Sequence, residues 1–238
     1  LPNGELGFIW LDDKMGKHEG RSVKFTQTLP QGGFSEEVVV DSNACQCCRT
    51  ALYVDTNKNI HLTYRDLLAD GTRDMSHAVS TDGGKTFTQP QVVYKDRWKI
   101  NACPHTGPSM TQSGNDFFVT WFSGKSETHE AGIRIVKLGE EKLISANLTV
   151  RAKHPQIANW NGNVAVVWDE SVEKDGEFFT KIALRIIDKN GKETTTFLTS
   201  DHENASYPVL LPTPNGLLLA YEWQAKDAEK AVIVSQWV

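Results

Sequence analysis

The sequence predicts an all-β protein, specifically a β-propeller of four-stranded antiparallel blades, and three observations carry that expectation. One phrase recurs about every fifty residues, the spacing of a stacked supersecondary unit. The apolar runs are rich in Val, Ile, Thr, Phe and Tyr and are broken by Gly, Asn, Asp and Pro, which is strand and turn chemistry. No stretch carries a helical period. Radial closure of such units protects their sheet edges, which a pair of β-sandwiches, the alternative architecture, would leave to other devices.

The phrase reads as a strand opening near a proline, a Gly/Asn turn, an apolar strand ending in an aromatic residue, and then polar residues. Its copies are "LPNGELGFIWLDD" with Trp10, "RTALYVDTNKNIHLTYRD" with Tyr64, "GPSMTQSGNDFFVTWFSG" with Trp121, "HPQIANWNGNVAVVWDES" with Trp168, and "YPVLLPTPNGLLLAYEW" with Tyr221 and Trp223. One or two further strands follow each copy: "RSVKFTQTL" and "SEEVVVD", "MSHAVST" and "PQVVYK", "GIRIVKL" and "LISANLTV", "KIALRII" and "TTTFLTS", and last "KAVIVSQWV". About five blades are visible on this count. The first lacks its opening strand and the last its closing one, so the chain is expected to start within a blade: either the two ends complement each other in one shared blade, or further blades precede Leu1, as in a six-bladed propeller.

A chain of 238 residues can bury a core as one large β domain or two smaller ones. Its 25 Lys and Arg against 30 Asp and Glu leave a formal net charge of -5, and the basic residues are scattered, which argues against nucleic acid as a partner. No run of about twenty apolar residues predicts a transmembrane segment. The N-terminus lacks the basic, apolar, small-residue order of a signal peptide, so Leu1 reads as an internal start left by leader cleavage or by loss of a longer N-terminal part.

"STDGGKTF", from Ser80 to Phe87, fits the pattern S-x-D-x-G-x-T-[FW]. Ser80 and Asp82 can accept hydrogen bonds from turn amides, Gly83 and Gly84 permit positive φ, Thr86 completes the turn, and Phe87 can anchor the hairpin in the blade core. On this motif the chain resembles the sialidase (neuraminidase) superfamily, whose blades carry such an Asp-box between their third and fourth strands. "TLPQGGFSEE" and "DKNGKETTTF" read as worn relatives of the box or as ordinary hairpins. The resemblance implies a single sialidase-like propeller domain over 1–238, with the box structural and on the face opposite the active site. Loops between blades, and from second to third strand, would then surround a funnel on the other face. It further implies an exported protein, secreted, periplasmic or at the cell surface, that binds a glycan or protein ligand at that funnel, within or outside a larger extracytoplasmic assembly.

Three of the four cysteines lie in "DSNACQCCRT" as Cys45, Cys47 and Cys48, and the fourth, Cys103, lies in "NACPHTGP". Both are loops that enter a blade. Three readings stay open. Cys103 paired with one of the cluster would staple two blades in an oxidising compartment, the adjacent Cys47 and Cys48 being the poorest partners for each other. Alternatively, Cys45, Cys47, Cys48 and Cys103 with His105 offer thiolates and an imidazole to copper or zinc, with Met110 close in sequence. The C-x-C-C spacing crowds one tetrahedral ion, so one disulfide with fewer ligands is a mixed form. Free reactive thiols are the third reading.

The resembled family hydrolyses glycosides with three arginines, a tyrosine paired with a glutamate, and an aspartic acid. Arg49, in "CRTAL", is loosely similar to the arginine of the family motif R-I-P-x-L but lacks its proline. Arg65 and Arg151, with Arg21, Arg73 and Arg97, supply further cations on expected funnel loops. Tyr207, in "SYPVLL", holds the position of the family's nucleophile, a slot that His154 and Gly107 occupy in other repeats. Glu222, with Glu203, Asp169 and Glu170, could partner it, and Asp12, Asp13 and Asp66 are the aspartates near the expected funnel. His18, His105, His129, His154 and His202 fall on expected funnel loops, whereas His61 and His77 fall in strands. Trp98 reads as a sugar-stacking platform or a plug between blades. Asn147 and Asn204 head glycosylation sequons that matter only in a secretory eukaryotic host. The expected function is therefore ligand binding at the funnel, with exo-sialidase-like hydrolysis as its enzymatic form and metal binding at the Cys/His loops as the alternative.

Overall fold

A computed structural model describes residues 1–13, 19–200, 203–225 and 228–238; His18 and His202 lie outside the described residues. All regular structure in them is strand, and no helix is long and apolar enough to cross a membrane. Hydrogen bonding sorts the strands into four sheets whose internal order follows the sequence. The first holds β1 (Gly7–Asp12), β2 (Arg21–Gln27) and β3 (Val38–Ala44). The second holds β4 (Ala51–Val54), β5 (Ile60–Arg65), β6 (Met75–Ser80) and β7 (Gln91–Val92). The third holds β8 (Ser109–Ser113), β9 (Asp116–Ser123), β10 (Gly132–Lys137) and β11 (Leu143–Asn147). In the last, β12 (Ala152–Trp160), β13 (Asn163–Lys174), β14 (Glu177–Ile187) and β15 (Glu193–Phe197) form one antiparallel set. A second set, β16 (Glu203–Thr213), β17 (Gly216–Ala225) and β18 (Val232–Trp237), joins it in one sheet through the parallel bridge Thr180–Asn204.

The chain divides into two compact units, Leu1–Pro108 with Ser126–Thr128, and Ser109–Lys125 with His129–Val238. In the first, Val23, Phe25, Leu62, Tyr64 and Ala78 form a buried cluster against which Phe87 packs. Val23, Phe25 and Leu62, removed from water, each contribute about 1.5–3 kcal/mol. In the second, Ile133, Ile135, Val166 and Trp168 make one cluster, and Val167, Ile182, Leu219 and Tyr221 make another. The recurring aromatic is thus a core residue: Tyr64, Trp121 and Trp168 are all enclosed. Their polar tips are satisfied, since the Tyr64 hydroxyl donates to Asp41 Oδ2 at 2.7 Å, Trp121 Nε1 to Ser123 Oγ at 3.1 Å and Trp168 Nε1 to Glu170 Oε2 at 2.8 Å. A buried indole or phenol left unpaired would cost free energy, which explains the polar residues that follow the phrase.

The turn after β6 is tied by its own side chains. Asp82 Oδ1 accepts the backbone N–H groups of Lys85 and Thr86, each at 3.0 Å, and Asp82 Oδ2 accepts the Thr86 hydroxyl at 2.6 Å. Ser80 Oγ donates to Asp82 Oδ1 at 2.7 Å and accepts the Gly84 N–H at 2.8 Å. Gly84 sits at φ +89, and a Cβ there would stand 2.4 Å from the Phe25 ring, so glycine is required twice over. Phe87 meets Phe25 edge-on with ring centroids 5.2 Å apart. These donors hold the Asp82 carboxyl well below the usual carboxylate range, the Thr86 hydroxyl contributing most. Asp82→Ala is expected to lower the melting temperature and to speed hydrogen exchange at the Lys85 and Thr86 amides; unchanged exchange there would mean that the turn holds itself without the carboxylate.

Register places this turn away from the cysteine loop. Ile60 pairs with Ser80 at one end of the second sheet, while Ala51 pairs with Thr63 and Arg65 with Met75 at the other. The cysteine loop precedes Ala51 and the box follows Ser80, so within the first unit they lie at opposite ends of one sheet.

Candidate functional site

The first unit gathers all four cysteines, and no S–S bond joins any of them. The ligand atoms of Cys45, Cys47 and Cys48 lie within 4.8 Å of one another, as do those of Cys47, Cys103 and His105. Cys47 therefore belongs to both groups. Burial divides them: Cys45 and Cys48 are enclosed, Cys47 is half-buried, and Cys103 and His105 are exposed. The loop is fixed at its root by the Cys45 N–H donating to the Arg65 carbonyl at 2.9 Å. His105 is held at φ 49, a left-handed conformation that a non-glycine residue adopts only when its surroundings impose it. Gly107 follows because the backbone of Arg49 passes there, 2.2 Å from where a Cβ would stand.

Cys45 and Cys48 are in contact, Sγ to Sγ 2.8 Å, and two buried arginines sit against them. Arg73 Nη1 donates to Cys45 Sγ at 3.4 Å. The Cys48 thiol, then the Cys47 backbone N–H and Arg73, stabilise the Cys45 thiolate against the opposing effect of burial, lowering its pKa to about 5, while the same pairing and burial push Cys48 far up. Burial, and then the Cys103 thiol, raise Cys47 to about 11. Arg65 is fully enclosed; its Nη1 donates to the Arg73 carbonyl at 2.8 Å and its guanidinium lies 4.7 Å from the Trp98 ring centroid. Trp98 is itself buried, so it acts as a plug under that cation. Asp74, raised to about 6 by burial, accepts the Trp98 N–H at 3.3 Å. Beyond Arg73 opens a cleft of about 490 Å³, lined also by Glu19, Leu67, Lys99 and Asn101.

A second constellation stands in the second unit. His154 Nδ1 lies 2.7 Å from Asp169 Oδ2, and the same oxygen accepts the Tyr207 N–H at 2.9 Å. The Tyr207 ring covers the imidazole with centroids 4.3 Å apart, and Tyr207 is 46% exposed. Both His154 and Tyr207 precede a proline, both sit at left-handed φ, 49 and 53, and both lie where their strand's register slips, between Lys153 and Gln156 and between Ser206 and Val209. The repeat therefore builds the same strained bulge twice and turns a ring out of each. With Nδ1 held by a carboxylate, the imidazole presents Nε2 outward, the orientation that general acid–base chemistry and sugar hydroxyl recognition both use.

The other sequence candidates are placed as follows. Arg49 is exposed in the loop before β4. Arg65, expected on a loop, is instead the last residue of β5 and buried. Arg151 is exposed, 3.9 Å from Glu173 and 5.4 Å from the Phe178 ring centroid. Glu222 lies in β17 opposite Ser206, one residue from Tyr207. The carboxylate that contacts the Tyr207 backbone is Asp169, one of four acids named for it. Sequence reasoning missed Arg73 as the partner of Cys45, and it missed the chain Asp55–His61–His77, in which His61 Nε2 lies 3.2 Å from Asp55 and His61 Nδ1 2.9 Å from His77 Nε2. Two histidines in neighbouring strands were visible, but only register shows that they meet.

No protein-family model and no curated protein matches the chain. Solved structures do resemble it in fold. A protein of unknown function from Dyadobacter fermentans superposes with a TM-score of 0.64 at 12% identity, over 99% of this chain and 76% of that one. An ulvan lyase of a polysaccharide lyase family, bound to -[GlcA(1-4)Rha3S]-, gives 0.56 at 10% identity, over 97% and 67%. An endo-arabinase from Bacteroides thetaiotaomicron gives 0.51 at 14% identity, over 98% and 93%. At such identities the likeness is one of fold, and the fold it supports is the all-β, propeller-type architecture of carbohydrate-active proteins.

Proposed function

We propose that this chain is a sialidase-like β-propeller that acts outside the cytoplasm and binds a glycan. The observation that carries the reading is the His154–Asp169–Tyr207 constellation. An aromatic face nearly half open to solvent stacks against an imidazole whose orientation a buried carboxylate fixes, and a sugar ring is recognised by that combination of an apolar face and directed polar groups. The fold likeness to an arabinase and an ulvan lyase supports the ligand class, and the cationic lining of the Arg73–Lys99 cleft favours acidic sugars in the first unit.

Hydrolysis is the second reading, favoured by the carboxylate-held imidazole, which can take up or deliver a proton at Nε2. In a sialidase-like reaction within the second unit Tyr207 would be the nucleophile, Glu222 its partner and Arg151 a carboxylate-binding cation.

The test is binding of the full chain to an array of acidic and neutral oligosaccharides, followed by titration with the best ligand. Tyr207→Ala and His154→Asn, the latter chosen because Asn tolerates left-handed φ, are each expected to weaken binding at least tenfold without changing the melting temperature by more than a few degrees. Release of free sugar from the bound glycan would establish the hydrolytic reading. Binding unaffected by both substitutions would overturn the assignment of this constellation as the glycan site.

A further inference from the structure

We propose that Cys47, Cys103 and His105 form a site for one soft d10 metal ion, Cu(I) or Zn(II), and that Cys45 and Cys48 stand outside it as a separate dithiol. The inference is independent of the glycan reading, whose carrying constellation, His154–Asp169–Tyr207, lies in the other unit.

The three donor atoms already lie within 4.8 Å of one another. Three N and S donors bound to one ion at roughly 2.0–2.3 Å are about 3.5–4 Å apart, so closing the site takes side-chain rotation and no rearrangement of the loops. The donor set is two thiolates and an imidazole, which selects copper(I) or zinc over the hard cations that prefer oxygen. Two loops supply it: Cys47 from the segment between β3 and β4, Cys103 and His105 from the segment between β7 and β8. The left-handed backbone at His105 aims its side chain separately from that of Cys103 two residues earlier, and this strain is what a ligand position would retain. Cys103 and His105 are exposed and Cys47 is half-buried, so an ion can reach the site from solvent.

Cys45 and Cys48 are unsuited to the same ion for reasons visible in their surroundings. Their sulfurs touch at 2.8 Å and leave no space between them for a metal. Arg73 already donates to Cys45 Sγ, and the buried Arg65 lies against Cys48. Guanidinium groups do not lose their charge in proteins, so a cation placed there would face two fixed positive charges in a dry environment. The arginines complement an anionic thiolate or a thiol pair. The crowding of the C-x-C-C run is thereby resolved: its middle cysteine turns toward the second loop and its outer two turn inward.

The experiment is a competition titration of the full chain, reduced and kept anaerobic, with Cu(I) against a bathocuproine chelator and separately with Zn(II) against a colorimetric zinc chelator. The double variant Cys103→Ser, His105→Asn serves as the comparison, since both positions are exposed and Asn accepts the left-handed backbone at 105. The expected result is one equivalent of metal per wild-type chain and at least tenfold weaker retention by the double variant, with the metal-free melting temperatures of the two proteins equal. Whichever ion the wild-type chain holds more tightly against its chelator is identified as the ion of the site, Cu(I) or Zn(II). Reduced wild-type protein that retains no more of either metal than the double variant overturns the proposal.

Discussion

Trp168→Ala is expected to destabilise the second unit by about 3–5 kcal/mol, the range for truncating a fully buried Trp or Phe to Ala. Trp168 is 1% exposed at the centre of a cluster that includes Ile133, Ile135, Val166 and Ala183. Its removal leaves a cavity walled by strands that cannot collapse without breaking register, and it removes the surface on which the Arg185 guanidinium rests 5.3 Å from the ring centroid. Glu170 would lose the indole donor but keep the Asn147 amide at 2.9 Å. Trp168→Phe retains most of the packing and is expected to cost about 1–2 kcal/mol. Urea denaturation followed by circular dichroism measures both. Equal losses would show that the hydrogen bond, and not the volume, accounts for the effect.

Acid is expected to destabilise the first unit through His77. Its Nε2 meets His61 Nδ1 at 2.9 Å, and the far nitrogen of His61 faces the Asp55 carboxylate, itself fixed by the backbone and side-chain N–H groups of Asn59 at 2.7 and 2.9 Å. Burial, and then the neighbouring His61, lower His77 from its ordinary 6.5 to about 4. The folded protein thus keeps His77 neutral where the unfolded chain would protonate it. This contribution is complete above about pH 6.5 and is lost as pH falls through about 4, with a total on the order of 3 kcal/mol. Asp74 acts with the opposite sign: burial raises it to about 6, so its contribution is present at low pH and fades as pH rises through that value. The difference between wild type and His77→Gln isolates the histidine, because a Gln amide can still donate to His61 but does not titrate. Denaturation midpoints between pH 4 and 7 should converge as pH falls, and parallel midpoints would refute the assignment.

The repeat was legible because it is local. Each phrase carries its own proline, turn glycine or asparagine, and terminal aromatic, and the strands fall where those signals put them, down to the three-stranded set at each end. The turn from Ser80 to Phe87 was legible for the same reason, since its ligands and its amides lie within eight residues of one another. Arg65 was misplaced because a charged residue next to "DLLADGTRD" reads as loop, and nothing local reveals that Trp98, Arg73 and the cysteines enclose it. His154 and Tyr207 shared a slot in the repeat, which was visible, but their meeting over Asp169 was not.

The sequence by itself determined the all-β class, the order of the strands, the aromatic residue that ends each phrase and the two loops that carry the thiols, because hydrophobic period and turn chemistry act over a few residues. Only the tertiary structure decided which cysteine faces which, that two arginines back Cys45 and Cys48, that His61 meets His77, and that one carboxylate serves both His154 and Tyr207. Those pairings depend on strand register and on the approach of segments up to several dozen residues apart, where a shift of a single residue would turn each side chain to the opposite face.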